Sequence, residues 1–424
     1  MAGCISQQTT TKQTPLTTKQ KPPVRVPIQS DEYETTDVLS AHEILPPKLL
    51  EGEYHNVQED VLTYGFTNYF TITSPFGTFE AEGEDMLRNR IHEIKAIAAL
   101  QDIKKTKAFG SAAKKAATSS VKGAWSLITH PVNTVSGVPK GVGRLFGRIG
   151  EMVKGERGDT EDSVAKELVG FSKIKRQYAH KLGVDVYSSN EVLQKDLNSV
   201  SWAGFAGGAG VSLAMMPIRS ASTAAYISIK ATKFTHGMNK IMLDNAPEDL
   251  RRINREKLQQ MGVEDPVIEE FLRHPKFSPR HETFLVHALA EMEGVENRDQ
   301  LIKQALFAES ELDAFIFQRV AEMMYGYHKN VGPIKEIIPV RRLVVGYTAD
   351  QKIVATIPID YIYWTEQADH GSAAVVRLRS KGRPVKRVEL WITGNITSKA
   401  KHEIEARGIV VKEQIGERLM PPST

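Results

Sequence analysis

Histidines beside carboxylates are the first residues whose chemistry needs testing. His281-Glu282 is followed by His287, and His42-Glu43 and His92-Glu93 repeat the pairing. A zincin-type metal helix needs two histidines four positions apart, so that both imidazoles leave the same face. His281 and His287 stand six apart and diverge, and the other two pairs have no second ligand at a useful spacing. Surface or cap histidines are therefore expected, and no metal. Nucleotide chemistry fails a similar test. Gly204-Phe205-Ala206-Gly207-Gly208-Ala209-Gly210 lacks the Gly-x-x-x-x-Gly-Lys-Ser/Thr spacing and follows no β-branched strand, so its glycines read as packing residues. No Gly-x-Ser-x-Gly elbow offers a serine nucleophile. The expectation is a chain without a cofactor and without an assignable catalytic residue.

Positive charge is the stronger signal. From Ile103 to Gly150 there is no acidic residue, while Lys104, Lys105, Lys107, Lys114, Lys115, Lys122, Lys140, Arg144 and Arg148 are all basic. Gly137/Gly141 and Gly143/Gly147 stand four apart, with Trp125, Leu145 and Phe146 between or beside them. Glycines at that spacing permit close approach of a helix to a surface. Lysines attract anionic headgroups, and aromatic side chains can insert. Lys114, Lys115, Lys140, Arg144 and Arg148 are thus the candidates for attraction, and Trp125 and Phe146 for insertion. Phosphates of nucleic acid would respond to the same charge, but the segment is poor in aromatics for base stacking. A second basic cluster, Arg377, Arg379 and Arg383 with Lys381, Lys386 and Arg387, surrounds Gly382-Arg383-Pro384. On a hairpin, Arg377 and Arg379 would share one face and could hold an anion.

The single cysteine, Cys4, excludes a disulfide framework and any cysteine zinc site. Ala2-Gly3-Cys4 followed by Ile5-Ser6-Gln7-Gln8-Thr9-Thr10 places small residues before a cysteine and a polar tether after it. This resembles the lipobox of bacterial lipoproteins over four residues. The resemblance implies lipidation of Cys4 after cleavage. It also implies a translation start upstream of Met1, where the charged and apolar parts of such a signal would lie.

The elements that would position these residues can be read from periodicity and punctuation. Residues 1–40 are rich in Thr, Gln, Lys and Pro, and are expected to form a disordered tether. A hairpin-plus-helix unit over 41–108 follows. Phe66 to Thr73 and Thr78 to Ala81 flank the turn Ser74-Pro75-Phe76-Gly77, and Leu87, Ile91, Ile94 and Ala98 recur at helical spacing. The basic Gly-rich segment covers 109–158. Residues 159–332 form a helical domain, interrupted near Gly183 and at Ser188-Ser189-Asn190. Pro247, Ser278-Pro279 and Ser310 open helices there, and Gly262 and Gly294 close them. The uncharged run Leu197 to Ile218 contains too many Gly and Ser residues for a good membrane span and suits a buried helix better. Residues 333–424 form a strand-rich α/β domain. Its strands are expected at 343–347, 352–357, 375–378 and 388–392, with a helix from Thr397-Ser398 to Gly408 before Ile409-Val410-Val411.

Together these features predict a multidomain α+β protein with a mostly helical middle and a strand-rich C-terminal domain. Composition is ordinary for folded chains, at 41% hydrophobic and 25% charged residues with a net charge of +4. The expected role is that of a bacterial, envelope-associated structural or interaction protein, lipid-anchored through Cys4. Its basic segment would face a membrane surface or an envelope protein. The alternatives are a soluble, cytoplasmic nucleic-acid-binding protein, and a hydrolase or effector whose site assembles only in the fold.

Overall fold

The computed structural model describes residues 32–36, 38–118, 161–207, 233–380 and 382–419. The α+β class holds, with helices through the middle and a sheet-centred C-terminal region.

The first unit is an antiparallel sheet. It begins with β1 (Val38–Ser40), the short helices α1 (Ala41–Ile44) and α2 (Pro47–Leu50), β2 (Glu51–Gly52), β3 (His55–Val57) and β4 (Asp60–Tyr64). β5 (Thr67–Ser74) and β6 (Gly77–Glu82) form the expected hairpin, with Ser74 paired to Gly77 across Pro75-Phe76. The strand order is β1-β4-β5-β3-β2, with β6 on the other edge of β5. Alternation puts Phe70, Ile72, Phe79 and Ala81 on the inner face. Helix α3 (Glu84–Lys104) covers that face with Leu87, Ile91 and Ile94 of the stripe read from periodicity, and Ala98, the fourth position of that stripe, is buried as well. Its N-cap, Gly83, has no side chain to satisfy the first amides.

Helix α4 (Lys107–Thr118) follows, then α5 (Glu161–Leu182) and α6 (Glu191–Gly207). Gly183 ends α5 at φ +68°, a value that glycine adopts without strain. Asn190 opens α6 by accepting the Leu193 amide at 3.2 Å. α6 packs on α3, α4 and α5, and Leu193, Leu197 and Val200 complete the first core. The part of the uncharged run up to Gly207 is this helix; residues 208–218 lie outside the described residues. Among the described residues, no helix is long and apolar enough to cross a membrane.

α7 (Lys233–Asp244) and the start of α8 (Pro247–Gln260) add Met238, Met242 and Leu250 to the first core. The end of α8, with α9 (Asp265–Leu272), α10 (Pro279–Ala290), α11 (Asp299–Ala305) and α12 (Glu311–Asn330), forms the second core around Phe271, Leu285, Leu289, Ala321 and Tyr327. The punctuation works as read. Ser278 and Ser310 form capping boxes with His281 and Asp313, and Gly262 and Gly294 take φ of +78° and +76°. α10 is buried from Thr283 to Leu289, so it is a central helix and not a surface one.

The C-terminal sheet begins with the antiparallel strands β7 (Ile334–Val340), β8 (Leu343–Thr348) and β9 (Lys352–Ile357). β10 (Tyr361–Ile362), α13 (Glu366–Val376), β11 (Arg387–Ile392), β12 (Asn395–Ile396), α14 (Ser398–Ala406), β13 (Ile409–Lys412) and the short α15 (Gly416–Leu419) complete the chain. β9, β11 and β13 are parallel, in the order β13-β11-β9-β8-β7. One expectation is overturned here. Residues 375–378 are not a strand. They are the end of α13 and the 3₁₀ turn Arg377–Ser380. Parallel neighbours need a long crossover, and Thr365 starts a helix there by accepting the Ala368 amide at 3.3 Å. Val375 and Val376 are β-branched, but the required crossover outweighs that weak preference.

Candidate anion-binding surface and buried charge clusters

The basic stretch begins at the end of α3 and continues on α4. Lys104 donates to Asp196 on α6 at 2.8 Å, and Lys105 to Asp102 at 3.0 Å, so both serve local ion pairs. Thr106 then accepts the Phe109 amide at 3.1 Å and starts α4. Helical spacing divides α4 in two. Ala112 is buried and Phe109 half-buried towards α6, while Lys107, Lys114 and Lys115 are exposed. Positions seven and eight apart return to one side of a helix, so these lysines form a single basic face. The chain leaves that face directly into the remainder of the acid-free stretch. Trp125, Lys140, Arg144, Phe146 and Arg148, like Cys4, lie outside the described residues.

The C-terminal arginines do not share a hairpin face. Arg377 is exposed on the 3₁₀ turn. Arg379 donates to the carbonyls of Arg407 and Gly408, at 3.3 and 2.6 Å, and so satisfies the end of α14. Arg383 turns to β7, where it pairs with Glu336 and lies over the Tyr347 ring at 5.4 Å. The hairpin geometry expected for Arg377 and Arg379 is replaced by a helical turn, and Arg379 and Arg383 serve different neighbours, the end of α14 and Glu336.

The sequence shows the His92-Glu93 and His281-Glu282 pairs, but only the fold buries Glu93, His281, Glu282 and His287, together with Lys175. Glu93 on α3 accepts from Arg90 at 2.6 Å, Asn190 at 2.9 Å and the Ser188 hydroxyl, which ties α3 to the loop before α6. Lys175 on α5 is fully buried, and burial pushes its ammonium down to about 7. A lysine in that range could act as a nucleophile at neutral pH. Here its Nζ donates to Gln194 at 2.7 Å, between packed helices and away from solvent, which is a structural placement.

On α10, burial holds the His281 ring down to about 3 and the His287 ring down to about 4. Both histidines are interior, and only His281 also serves as a cap. Glu282 beside them is raised well above an ordinary carboxylate by burial. Among the described residues, Glu282 Oε2, His287 Nε2 and Asn254 Oδ1 are buried with no hydrogen-bond partner. No group of three or more His, Cys, Asp and Glu among the described residues is arranged to hold a metal ion.

Asp360, between β9 and β10, joins the N-terminal sheet to the C-terminal one. Its carboxylate accepts the Asn68 amide at 2.8 Å and the Glu84 amide at 3.0 Å. Burial, opposed by those two hydrogen bonds, pushes it up to about 6. Gly394 packs so closely that a Cβ would meet the Asp360 carbonyl oxygen at 1.9 Å, which excludes every other residue without a backbone shift.

Compared with known proteins, the chain matches no protein-family model, no curated protein and no solved structure.

Proposed function

We propose that this chain is an envelope-associated structural or interaction protein whose basic segment docks on an anionic membrane surface. The observation that carries the reading is the exposed Lys107, Lys114 and Lys115 face of α4, which feeds an acid-free stretch running to Gly150. Lysines on one side of a short helix gain attraction to anionic headgroups of roughly 1 kcal/mol each near the surface. Lys140, Arg144 and Arg148 extend the charge, and Trp125 and Phe146 supply the side chains for insertion. The two folded sheets and the helical middle act as the scaffold behind it. Lipidation of Cys4 belongs to the same reading, because one acyl chain and one polybasic patch together give stable attachment where either alone is marginal.

Co-sedimentation with vesicles tests it. Binding to phosphatidylglycerol vesicles, absent with phosphatidylcholine and weakened by salt, is expected. Lys114→Glu, Lys115→Glu, Lys140→Glu, Arg144→Glu and Arg148→Glu together should abolish it, and unchanged binding in that variant overturns the membrane role. Tight, steeply salt-dependent binding to duplex nucleic acid without vesicle binding would instead assign these cations to phosphodiester backbones. Fractionation with intact mass tests the anchor: membrane recovery with an acyl mass on Cys4, both lost in Cys4→Ser.

A further inference from the structure

Residues 32–36 reach across to the C-terminal sheet and are held there by side chains that form a small recognition site. The Glu34 amide donates to the Trp364 carbonyl at 2.7 Å, and the Trp364 amide donates back to the Glu34 carboxylate at 2.6 Å. The same carboxylate oxygen accepts from the Thr397 hydroxyl at 2.6 Å. Thr397 is the N-cap of α14, and its oxygen also accepts the Ala400 amide at 3.1 Å. One hydroxyl therefore orients the helix start and points its only proton at the glutamate. Beside it, Tyr33 lies against Trp364 with ring centroids 6.4 Å apart, and its hydroxyl donates to Asp369 at 3.0 Å. Asp369 is fixed from behind by an ion pair with Arg407, whose guanidinium stacks over the Trp364 ring at 4.7 Å.

Every receiving group lies on the C-terminal domain, and each has a second partner that holds it in place without the segment. Trp364 is built into the third core, Thr397 caps α14, and Asp369 is paired with Arg407. The segment itself is short. Only Tyr33 and Glu34 are half-buried, while Glu32, Thr35 and Thr36 are exposed. A preformed receiver, a main-chain pairing and two side-chain pockets are how folded domains take extended peptides. A two-residue hold of this kind is also among the first contacts to open locally.

We infer that the surface formed by Trp364, Asp369, Thr397 and Arg407 is a peptide-recognition site for an extended aromatic–glutamate pair. In this structure it is occupied by the chain's own Tyr33–Glu34. Occupancy by the chain's own segment raises the local concentration of that ligand to the millimolar range, so a free peptide must compete against it. Displacement releases the segment that precedes β1 from the C-terminal domain and opens the site to the same pair on another chain. The inference is independent of the basic segment and of membrane binding.

The test uses the full chain carrying Tyr33→Ser and Glu34→Gln, which vacates the site, and a fluorescent peptide covering residues 28–38. Circular dichroism and the urea midpoint establish that the variant is folded. The vacated chain should raise the peptide's anisotropy at lower concentration than the wild type. The same peptide with Glu34→Gln should bind about tenfold more weakly or worse, because a carboxylate holding two hydrogen bonds has been neutralised. Thr397→Val in the vacated chain should weaken binding similarly. A parallel measurement needs no variant: hydrogen exchange of residues 32–36 in the wild type should quicken when the peptide is in large excess. Equal binding of the two peptides by a folded vacated chain overturns the inference. If the vacated chain does not fold, exchange in the wild type that is unaltered by the peptide overturns it.

Discussion

Asp360 caps a helix that begins 276 residues before it: its Oδ1 accepts the Glu84 amide at 3.0 Å, at a helix start where Gly83 offers no side chain. Its other oxygen holds the Asn68 amide of β5, so one carboxylate joins the N-terminal hairpin, its covering helix and the C-terminal sheet. A helix N-terminus favours a negative group, yet burial and the nearby Asp85 and Glu84 act against ionisation.

This opposition gives a pH dependence with a definite sign. The folded Asp360 keeps its proton up to about 6, against about 3.8 for an ordinary aspartate. Its contribution to stability is therefore complete below the ordinary value and is lost as pH rises through about 6. Asp360→Asn cannot titrate. Its destabilisation in urea should be larger at pH 4 than at pH 7, by up to about 3 kcal/mol. An equal penalty at both pH values would show that the carboxyl is not raised.

The histidines of α10 act in the opposite direction. His287 is depressed to about 4 from about 6.5, by burial first and Lys257 second. Stability from its neutral ring is present above 6.5 and is lost as pH falls through about 4. His287→Leu keeps the volume and removes a buried nitrogen that has no partner among the described residues. It should change stability little at pH 7 and gain up to roughly 3 kcal/mol over wild type near pH 4. Chemical denaturation at the two pH values measures this, and parallel curves would refute it.

Lys175 is depressed to about 7 from 10.5 by burial. Its stability contribution is present above 10.5 and falls as pH drops through about 7. Lys175→Met should be more stable than wild type at pH 7 by about 1–3 kcal/mol, an advantage that shrinks towards pH 10. A variant less stable than wild type at pH 7 would mean that the bond to Gln194 outweighs the desolvation it requires.

Two glycine substitutions test the packing at the joint against an open helix. Gly394→Ala drives a Cβ into the Asp360 carbonyl and should cost about 2 kcal/mol or more. Gly371→Ala, in α13 with nothing within 4 Å, should gain about 0.5–1 kcal/mol. Thermal melting of the two variants should move the transition in opposite directions.

Much of the architecture was readable because its code is short-range. The turn Ser74 to Gly77, the capping serines Ser278 and Ser310, the threonine Thr397 before α14, and the closing glycines Gly183, Gly262, Gly294 and Gly408 all stand where they were expected. Each depends on backbone geometry within a few residues, which residue type reveals. Val375 and Val376 were misread for the complementary reason. Their helix is required by the parallel pairing of β9 with β11, a relation that no local pattern carries.

The candidate site divides along the same line. The sequence by itself determined that 103–150 is a basic run without acids, that glycines four apart punctuate it, and that no metal or nucleotide motif accompanies it, because charge and spacing are properties of the chain. Only the tertiary structure decided that Lys104 serves Asp196 while Lys107, Lys114 and Lys115 remain exposed, and that Arg379 and Arg383 serve α14 and Glu336. It alone joined Asp360 to Glu84 and Glu34 to Thr397, which are 276 and 363 positions apart. The physical reason is that burial and pairing depend on which surfaces meet. A carboxylate's desolvation, its hydrogen-bond donors and its proton affinity come into being only when distant segments close around it.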